Sequence, residues 1–172
     1  MTSWGETAAE RSAALPCDGL LPDADLVLHR AVHVAAPAAT TFRWLCQLRV
    51  APYSYDLVDN LGRRSPRELT PGLDELAVGQ RVATIFTLRD FVPGEQLTLE
   101  VTSRTGRRLF GRVAITYVVT PTGPDACRLW ARVRCAGLDP VRRRALAWGD
   151  LVMMRKQLRT FAALAERTAR VA

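Results

Sequence analysis

Residues 52–68, which read PYSYDLVDNLGRRSPRE, gather the side chains best suited to chemistry. The hydroxyl groups of Tyr53 and Tyr55 could orient a carbonyl group of a ligand, and Asp56 or Asp59 could act as a base if burial raised its pKa. The two aspartates could equally pair with the arginines that follow and hold a loop in place, because structural ion pairs look the same in a sequence. We therefore expect this stretch to form the rim of a pocket, and we favour a structural role for the aspartates.

Arg30 is a second candidate, because it shares the apolar parity of a predicted strand, LVLHRAVHV. If its side chain points inward, it could bind a carboxylate or phenolate, or pair with Asp90 or another buried acid. If the strand twists or bulges, the guanidinium group instead reaches solvent and only its stem is buried. His29 and His33 have the opposite parity, and we interpret them as surface residues. The candidates for catalysis are therefore Tyr53, Tyr55, Arg30 and Asp90.

Familiar catalytic and cofactor motifs do not occur in the chain: it has no GxSxG, Walker, HExxH or dinucleotide-binding pattern. Its four cysteines form no CxxC pair, and neither histidine lies at metal-ligand spacing from a cysteine. We interpret Cys17, Cys46, Cys127 and Cys135 as reduced, mostly buried thiols. The sequence thus predicts neither a metal site nor a cofactor.

The elements that must position these residues begin with the alternating strand LVLHRAVHV. Pro37 opens a helix with an apolar side, which ends before Pro52. SYDLVDNLG then predicts one or two helical turns stopped by Gly62, and residues 63–78 are typical of a long loop. Residues 1–23 are small and polar with proline and glycine breakers, and we expect a loosely held tail ahead of one domain spanning residues 24–170.

From Gly79 onward the apolar pattern has a period of two, which predicts antiparallel strands. The segments are RVATIFTL, EQLTLEVT, GRVAITYVVT and CRLWARVRC, with GRRLFGR as a turn between two of them. One face of the predicted sheet is apolar, and the other is rich in arginine and threonine and is expected to face water.

A long helix is predicted from Pro140 to about Glu166, because Asp139 is a good N-cap and proline suits the first helical position. Its apolar stripe, about five turns long, should cover the apolar face of the sheet. The stripe consists of Ala147, Leu151, Met154, Leu158, Phe161 and Ala165, widened by Trp148 and Val152.

This order of elements resembles the helix-grip fold of the SRPBCC superfamily, also called START-like or Bet v 1-like, which includes polyketide cyclases and dehydrases. The resemblance extends from about Asp25 to Arg167 and is carried by VHVAAPAATTFRWL, YSYDLVDNLGRRSPREL, LDELAVGQRV, PGEQLTLEV and DLVMMRKQLRTFAALAE. It is similar to an uncharacterised bacterial branch of that superfamily. The implied fold class is α+β: a curved antiparallel sheet around a long C-terminal helix, with short helices after the first strand.

A deep apolar cavity between the sheet and the long helix follows from the resemblance, and with it a hydrophobic small-molecule ligand that is polyketide-, lipid- or aromatic-like. The alternative that it implies is a cyclase or dehydratase in a natural-product pathway, a lyase or isomerase without metal or cofactor. The fold alone does not choose between these functions. The candidate walls of the cavity are Trp44, Tyr53, Tyr55, Phe86, Tyr117, Trp148, Val152 and Met153.

The net charge of +7 comes from 23 arginines and one lysine against 17 acidic residues. The arginines are spread along the chain rather than clustered, which disfavours nucleic acid as the partner. An arginine-rich surface that binds an acidic partner is a third hypothesis. No apolar run is long enough to span a membrane and the N-terminus has no signal-like core, so we expect a cytoplasmic protein, a monomer or a homodimer.

Overall fold

The computed structural model describes residues 2–55 and 64–171 of the chain. Its main feature is a curved seven-stranded sheet in the order β1-β2-β7-β6-β5-β4-β3, in which β1 and β2 are parallel and all other neighbours antiparallel. The strands are β1 (Ser3–Trp4), β2 (Leu26–Val34), β3 (Arg81–Val82), β4 (Phe86–Val92), β5 (Gln96–Val101), β6 (Arg112–Gly123) and β7 (Ala126–Ala136). The helices are α1 (Ala8–Ser12), α2 (Pro16–Leu20), α3 (Ala38–Cys46), α4 (Arg104–Phe110) and α5 (Pro140–Ala169), with one 3-10 turn at Gln47–Arg49.

The concave face of the sheet forms the core of the protein. Because side chains alternate along each strand, one row crosses five strands and points the same way. This row is Leu28, Val133, Ile115, Leu99 and Leu88, and each member is at most 7% exposed. Helices α3 and α5 cover it, as expected for a helix-grip arrangement of the α+β class.

The opposite, convex face is covered by the N-terminal residues, which we had expected to form a loose tail. Strand β1 pairs with β2, and Cys17 is fully buried with its backbone N–H donating to Oγ1 of Thr116. The carboxylate of Asp18 pairs with the guanidinium groups of Arg132 and Arg134, at 2.6 and 3.0 Å. Where the sequence suggested a solvent-facing arginine face, Arg132 is only 4% exposed. Arg132 does not face water because acidic side chains of the N-terminal residues pair with arginines of this face. The alternating pattern of the strands does not indicate that contact.

Two local elements differ from the predicted ones. The segment RVATIFTL is not one strand, because Ala83 and Thr84 have φ values of 43° and 65° and turn the chain between β3 and β4. The segment GRRLFGR is not a simple turn but most of α4, whose N-cap Ser103 accepts a hydrogen bond from the backbone of Gly106. The predicted helical turns in SYDLVDNLG lie mainly outside the described residues.

Helix α5 has two unlike halves. It is capped by Asp139, whose side chain accepts hydrogen bonds from the backbone N–H groups of residues 141 and 142. From Met154 onward it packs on the core, with Leu158 and Phe161 fully buried. Before Met154 no residue of the helix is buried as a whole, although the side chain of Asp150 is only 10% exposed, and Trp148 is 49% exposed. The first half of α5 therefore stands at the open end of the sheet.

Across residues 2–55 and 64–171, no helix is both long and apolar enough to cross a membrane. The four cysteines are free and buried, as the sequence predicted.

Candidate functional site

An open hollow of about 480 Å³ lies beside the first half of α5. Trp148, Gly149, Val152 and Met153 line it from the helix, where residues three and four positions apart are neighbours, and Tyr55 also lines it. A Cβ atom added to Gly149 would meet no atom within 4 Å, so the space beside this glycine is open. The hollow is thus an open depression lined by aromatic and apolar side chains.

The eight side chains proposed from the sequence as ligand contacts fall into two groups. Tyr55, Trp148, Val152 and Met153 meet at this hollow. The other four do not line it: Phe86 is partly buried against the core, and the remaining three belong to the core itself, namely Trp44, Tyr53 and Tyr117.

The interior around Tyr117 is filled by side chains. Tyr53 packs edge-on against Trp44 and against the ring of Phe161, with ring centroids 6.2 and 5.1 Å apart, and the indole N–H of Trp44 donates to Oγ1 of Thr168. Trp44, Tyr53 and Tyr117 are each at most 2% exposed, which leaves almost no surface that water could reach from outside or from an internal void. At these three positions the described side chains are therefore packed into the core.

A short polar chain links this core to α5. The hydroxyl group of Tyr117 donates to Oε1 of Gln157 at 2.8 Å, and the Gln157 amide donates to the carbonyl oxygen of Pro52 at 2.6 Å. Burial, and the nearby carboxylate of Asp150, raise the pKa of Tyr117 far above its usual range. The Tyr117 hydroxyl therefore acts as a structural donor that fixes the chain just before Tyr53.

Arg30 points to the concave side, as its parity predicted, and is fully buried. One of its terminal nitrogens donates to the carbonyl oxygens of Thr2 and His29, and the other lies 2.8 Å from Oδ2 of Asp150 on α5. That second contact is an ion pair without hydrogen-bond alignment, and Nε of Arg30 has no hydrogen-bond partner among the described residues. The buried guanidinium is thus held mainly by Asp150 and by two carbonyl groups.

Asp150 was not foreseen from the sequence, which suggested Asp90 as the acid near Arg30. A bulge after Leu88 shifts the register, so that Asp90 pairs with Thr98 and faces the convex side, where it accepts a hydrogen bond from Gln96. The signal for Asp150 was present in the helix pattern: it lies three residues after Ala147 and four before Met154, within the apolar stripe.

Burial raises the pKa of Asp150 from 3.8 to about 6, and the positive charge of Arg30, 2.8 Å away, acts in the opposite direction. The carboxyl group therefore titrates near neutral pH. It follows Gly149 directly in the chain, but it points toward β2 and is not among the residues that line the hollow.

Asp56 and Asp59 lie outside the described residues. Within the described ranges, no three or more His, Cys, Asp or Glu side chains come together in a way that could hold a metal ion.

Several solved structures are similar to this architecture. A protein of Mesorhizobium loti matches with a TM-score of 0.54 at 18% identity, over 83% of this chain and 98% of its own. A protein of Nitrosospira multiformis matches with a TM-score of 0.57 at 13% identity, over 84% and 99%. The di-domain ARO/CYC protein StfQ of the steffimycin biosynthetic pathway matches with a TM-score of 0.52 at 16% identity, over 84% of this chain and 51% of its own.

The chain therefore has the helix-grip fold of the α+β class that these solved structures share. Identities this low relate folds and not activities, and the chain spans about half the length of the di-domain protein StfQ. Searches against protein-family profiles and against curated proteins found no match. The hollow at the first half of α5 and the Arg30–Asp150 pair are therefore features to be interpreted from this chain's own residues.

Proposed function

We propose that the protein binds a hydrophobic small molecule in the hollow between Tyr55 and the first half of α5. The observation that carries the proposal is the hollow itself, in which Trp148 and Val152 are 49% and 48% exposed. The space beside Gly149, between them in the sequence, is open. Large apolar side chains that stay exposed together in a concave place are typical of binding sites. A volume of about 480 Å³ is in the range of pockets for small molecules.

The likeness to StfQ, and to a second ARO/CYC protein, BexL, of the BE-7585A biosynthetic pathway, supports a ligand from natural-product chemistry. The aromatic ring of Trp148 and the side chains of Val152 and Met153 suit a polyketide-, lipid- or aromatic-like body.

Titration with Nile red, a neutral apolar dye whose fluorescence rises on leaving water, tests the proposal, together with native mass spectrometry for a co-purified ligand. Val152→Asp should abolish most of the dye signal, because a carboxylate would enter the apolar recess. Val141→Asp makes the same chemical change on the same helix at a residue that is 79% exposed and does not line the hollow, and it should leave the signal unchanged. Equal dye binding by the two variants would contradict the proposal.

A cyclase- or dehydratase-type enzyme is the second candidate, and the titration of Asp150 favours it. A carboxyl group with a pKa of about 6 can give and take a proton near neutral pH, which general acid–base catalysis requires. Such an enzyme would bring a ligand from the hollow toward the Arg30–Asp150 pair.

The test of the enzyme uses whatever ligand native mass spectrometry identifies. Product formation should follow a pH profile with an inflection near 6, and Asp150→Asn should remove that inflection. A turnover rate that is unchanged in Asp150→Asn at every pH would leave only the binding function.

A further inference from the structure

A second hollow, of about 360 Å³, lies farther along the same helix. Its lining residues come from α5 and from the segments before and after residues 56–63, which lie outside the described ranges. The lining residues with polar or charged side chains are Tyr53, Ser54, Ser65, Arg67, Lys156, Arg159 and Thr160.

The two hollows share one face of α5. Lys156 lies four residues after Val152 and three after Met153, so that its side chain directly follows theirs along the helix. Tyr55 borders the first hollow and Ser54 the second. The two hollows therefore lie in succession along one face of α5, the first apolar and the second cationic, and their combined lining residues are called the groove below.

The cationic end carries positive charge that the described protein does not neutralise. Arg67, Lys156 and Arg159 form no ion pair with any carboxylate in residues 2–55 and 64–171. The guanidinium group of Arg159 lies over the ring of Trp4, 5.4 Å from its centroid, and this contact restrains the side chain next to the groove. Three cations around one recess favour an anionic occupant.

We propose that the ligand is an anionic amphiphile, a free molecule with an apolar body and a terminal carboxylate. This inference rests on the proposed function, since it places the apolar body in the first hollow, and it adds the carboxylate, which binds Lys156 and Arg159. Gly149 and Arg159 are separated by about 15 Å along the axis at 1.5 Å per residue, which sets the distance that the molecule must span. The two recesses each have the volume of a small-molecule pocket, and a flat membrane surface would not fill them.

Isothermal titration calorimetry with dodecanoate and with dodecan-1-ol, both below their micelle-forming concentrations, separates the two parts of the proposal. The two probes share the apolar chain and differ in charge. Dodecanoate should bind more tightly than the alcohol, and the difference should shrink as salt is added, because the cationic end is open to solvent.

Lys156→Gln and Arg159→Gln should each weaken dodecanoate binding by roughly tenfold and leave binding of the alcohol unchanged. Arg155→Gln is the matched control: Arg155 also lies over the Trp4 ring, 5.2 Å from its centroid, but does not line the groove. Dodecanoate affinity should therefore stay the same in Arg155→Gln.

Equal affinity for acid and alcohol, with no effect of Lys156→Gln or Arg159→Gln, would overturn the anionic ligand and leave the apolar hollow in place. Failure of both probes to bind would overturn both proposals. Co-sedimentation with phosphatidylserine vesicles that depends on the same two cations, without binding of free dodecanoate, would show a membrane surface as the partner and would also overturn the inference.

Discussion

Replacement of Arg30 by methionine tests the buried pair between β2 and α5. The change removes the charge but keeps an unbranched apolar stem in a position with no exposed surface. Its effect then depends on Asp150, whose side chain is only 10% exposed and whose Oδ2 lies 2.8 Å from the guanidinium group. Without Arg30, the folded protein must hold an unpaired carboxylate in its interior or take up a proton.

The magnitude follows from the titration of Asp150. Its folded pKa of about 6 lies above the usual 3.8, which corresponds to roughly 3 kcal/mol in favour of the neutral carboxyl. A raised pKa means that this contribution to stability is fully present below the unfolded pKa and is lost as the pH rises through about 6. Loss of Arg30 raises the pKa further, so Arg30→Met should cost about 3–5 kcal/mol at neutral pH and markedly less in acid, where the carboxyl is already protonated.

Urea unfolding at pH 5 and pH 7, followed by far-ultraviolet circular dichroism, measures both values. Arg30→Met combined with Asp150→Leu should recover most of the loss, because a buried ion pair can be replaced by apolar side chains with little net cost. Arg112→Met is the matched control, since Arg112 pairs with Asp23 at a site where both side chains are about half exposed, and it should change stability little at either pH.

A loss of unfolding free energy of under about 1 kcal/mol for Arg30→Met at neutral pH would show that water reaches the pair and that it is not buried. A penalty of the same size at both pH values would show that the Asp150 carboxyl is not its source. A double variant as unstable as the single one would mean that the guanidinium stem, and not its charge, supports the fold.

Three further outcomes follow from the packing. Phe161→Ala should lower the free energy of unfolding by about 3–5 kcal/mol and Trp148→Ala by less than about 1 kcal/mol, in urea unfolding; the reverse order would mean that α5 is rotated. Asp18→Asn should cost about 1–3 kcal/mol in thermal unfolding, because two arginines of β7 lose their shared carboxylate; no change in Tm would contradict the contact. Gly5→Ala should detach β1, because the new Cβ atom would lie 2.3 Å from a backbone oxygen of β2 and residue 5 has a φ of +79°. The His29 amide, which donates to the carbonyl oxygen of Thr2, should then exchange its hydrogen faster. Unchanged exchange would contradict this prediction.

The parts of the fold that depend on local pattern could be predicted from the sequence. The alternation in LVLHRAVHV predicted β2 with the bounds Leu26–Val34, and the N-cap at Asp139 predicted the start of α5. The turn that separates β3 from β4 could not be predicted, because it has positive φ values at Ala83 and Thr84, two residue types that rarely signal one. Helix α4 was missed because its flanking glycines suggested a turn.

The site was predictable only where it depends on one helix. Trp148, Val152 and Met153 share a helix face by spacing alone, and their meeting with Tyr55 followed from the resemblance. Asp150 acquires its raised pKa from burial against β2, a strand that is far away in the chain, and no local pattern reports such a partner. The bulge that turns Asp90 away is also set by strand pairing and not by its neighbours in sequence.

The N-terminal cover of the convex face has a consequence for the order in which the protein can assemble. The arginines of β7 that bind Asp18 and Glu10 lie 114 and 118 positions later in the chain. Contacts between such distant residues close slowly, so the N-terminal residues have to wait for almost the whole domain before they can dock. In refolding followed by pulsed hydrogen exchange, amides of β6 and β7 should therefore become protected before the Cys17 amide, and a chain truncated before β7 should leave residues 10–18 open to proteases.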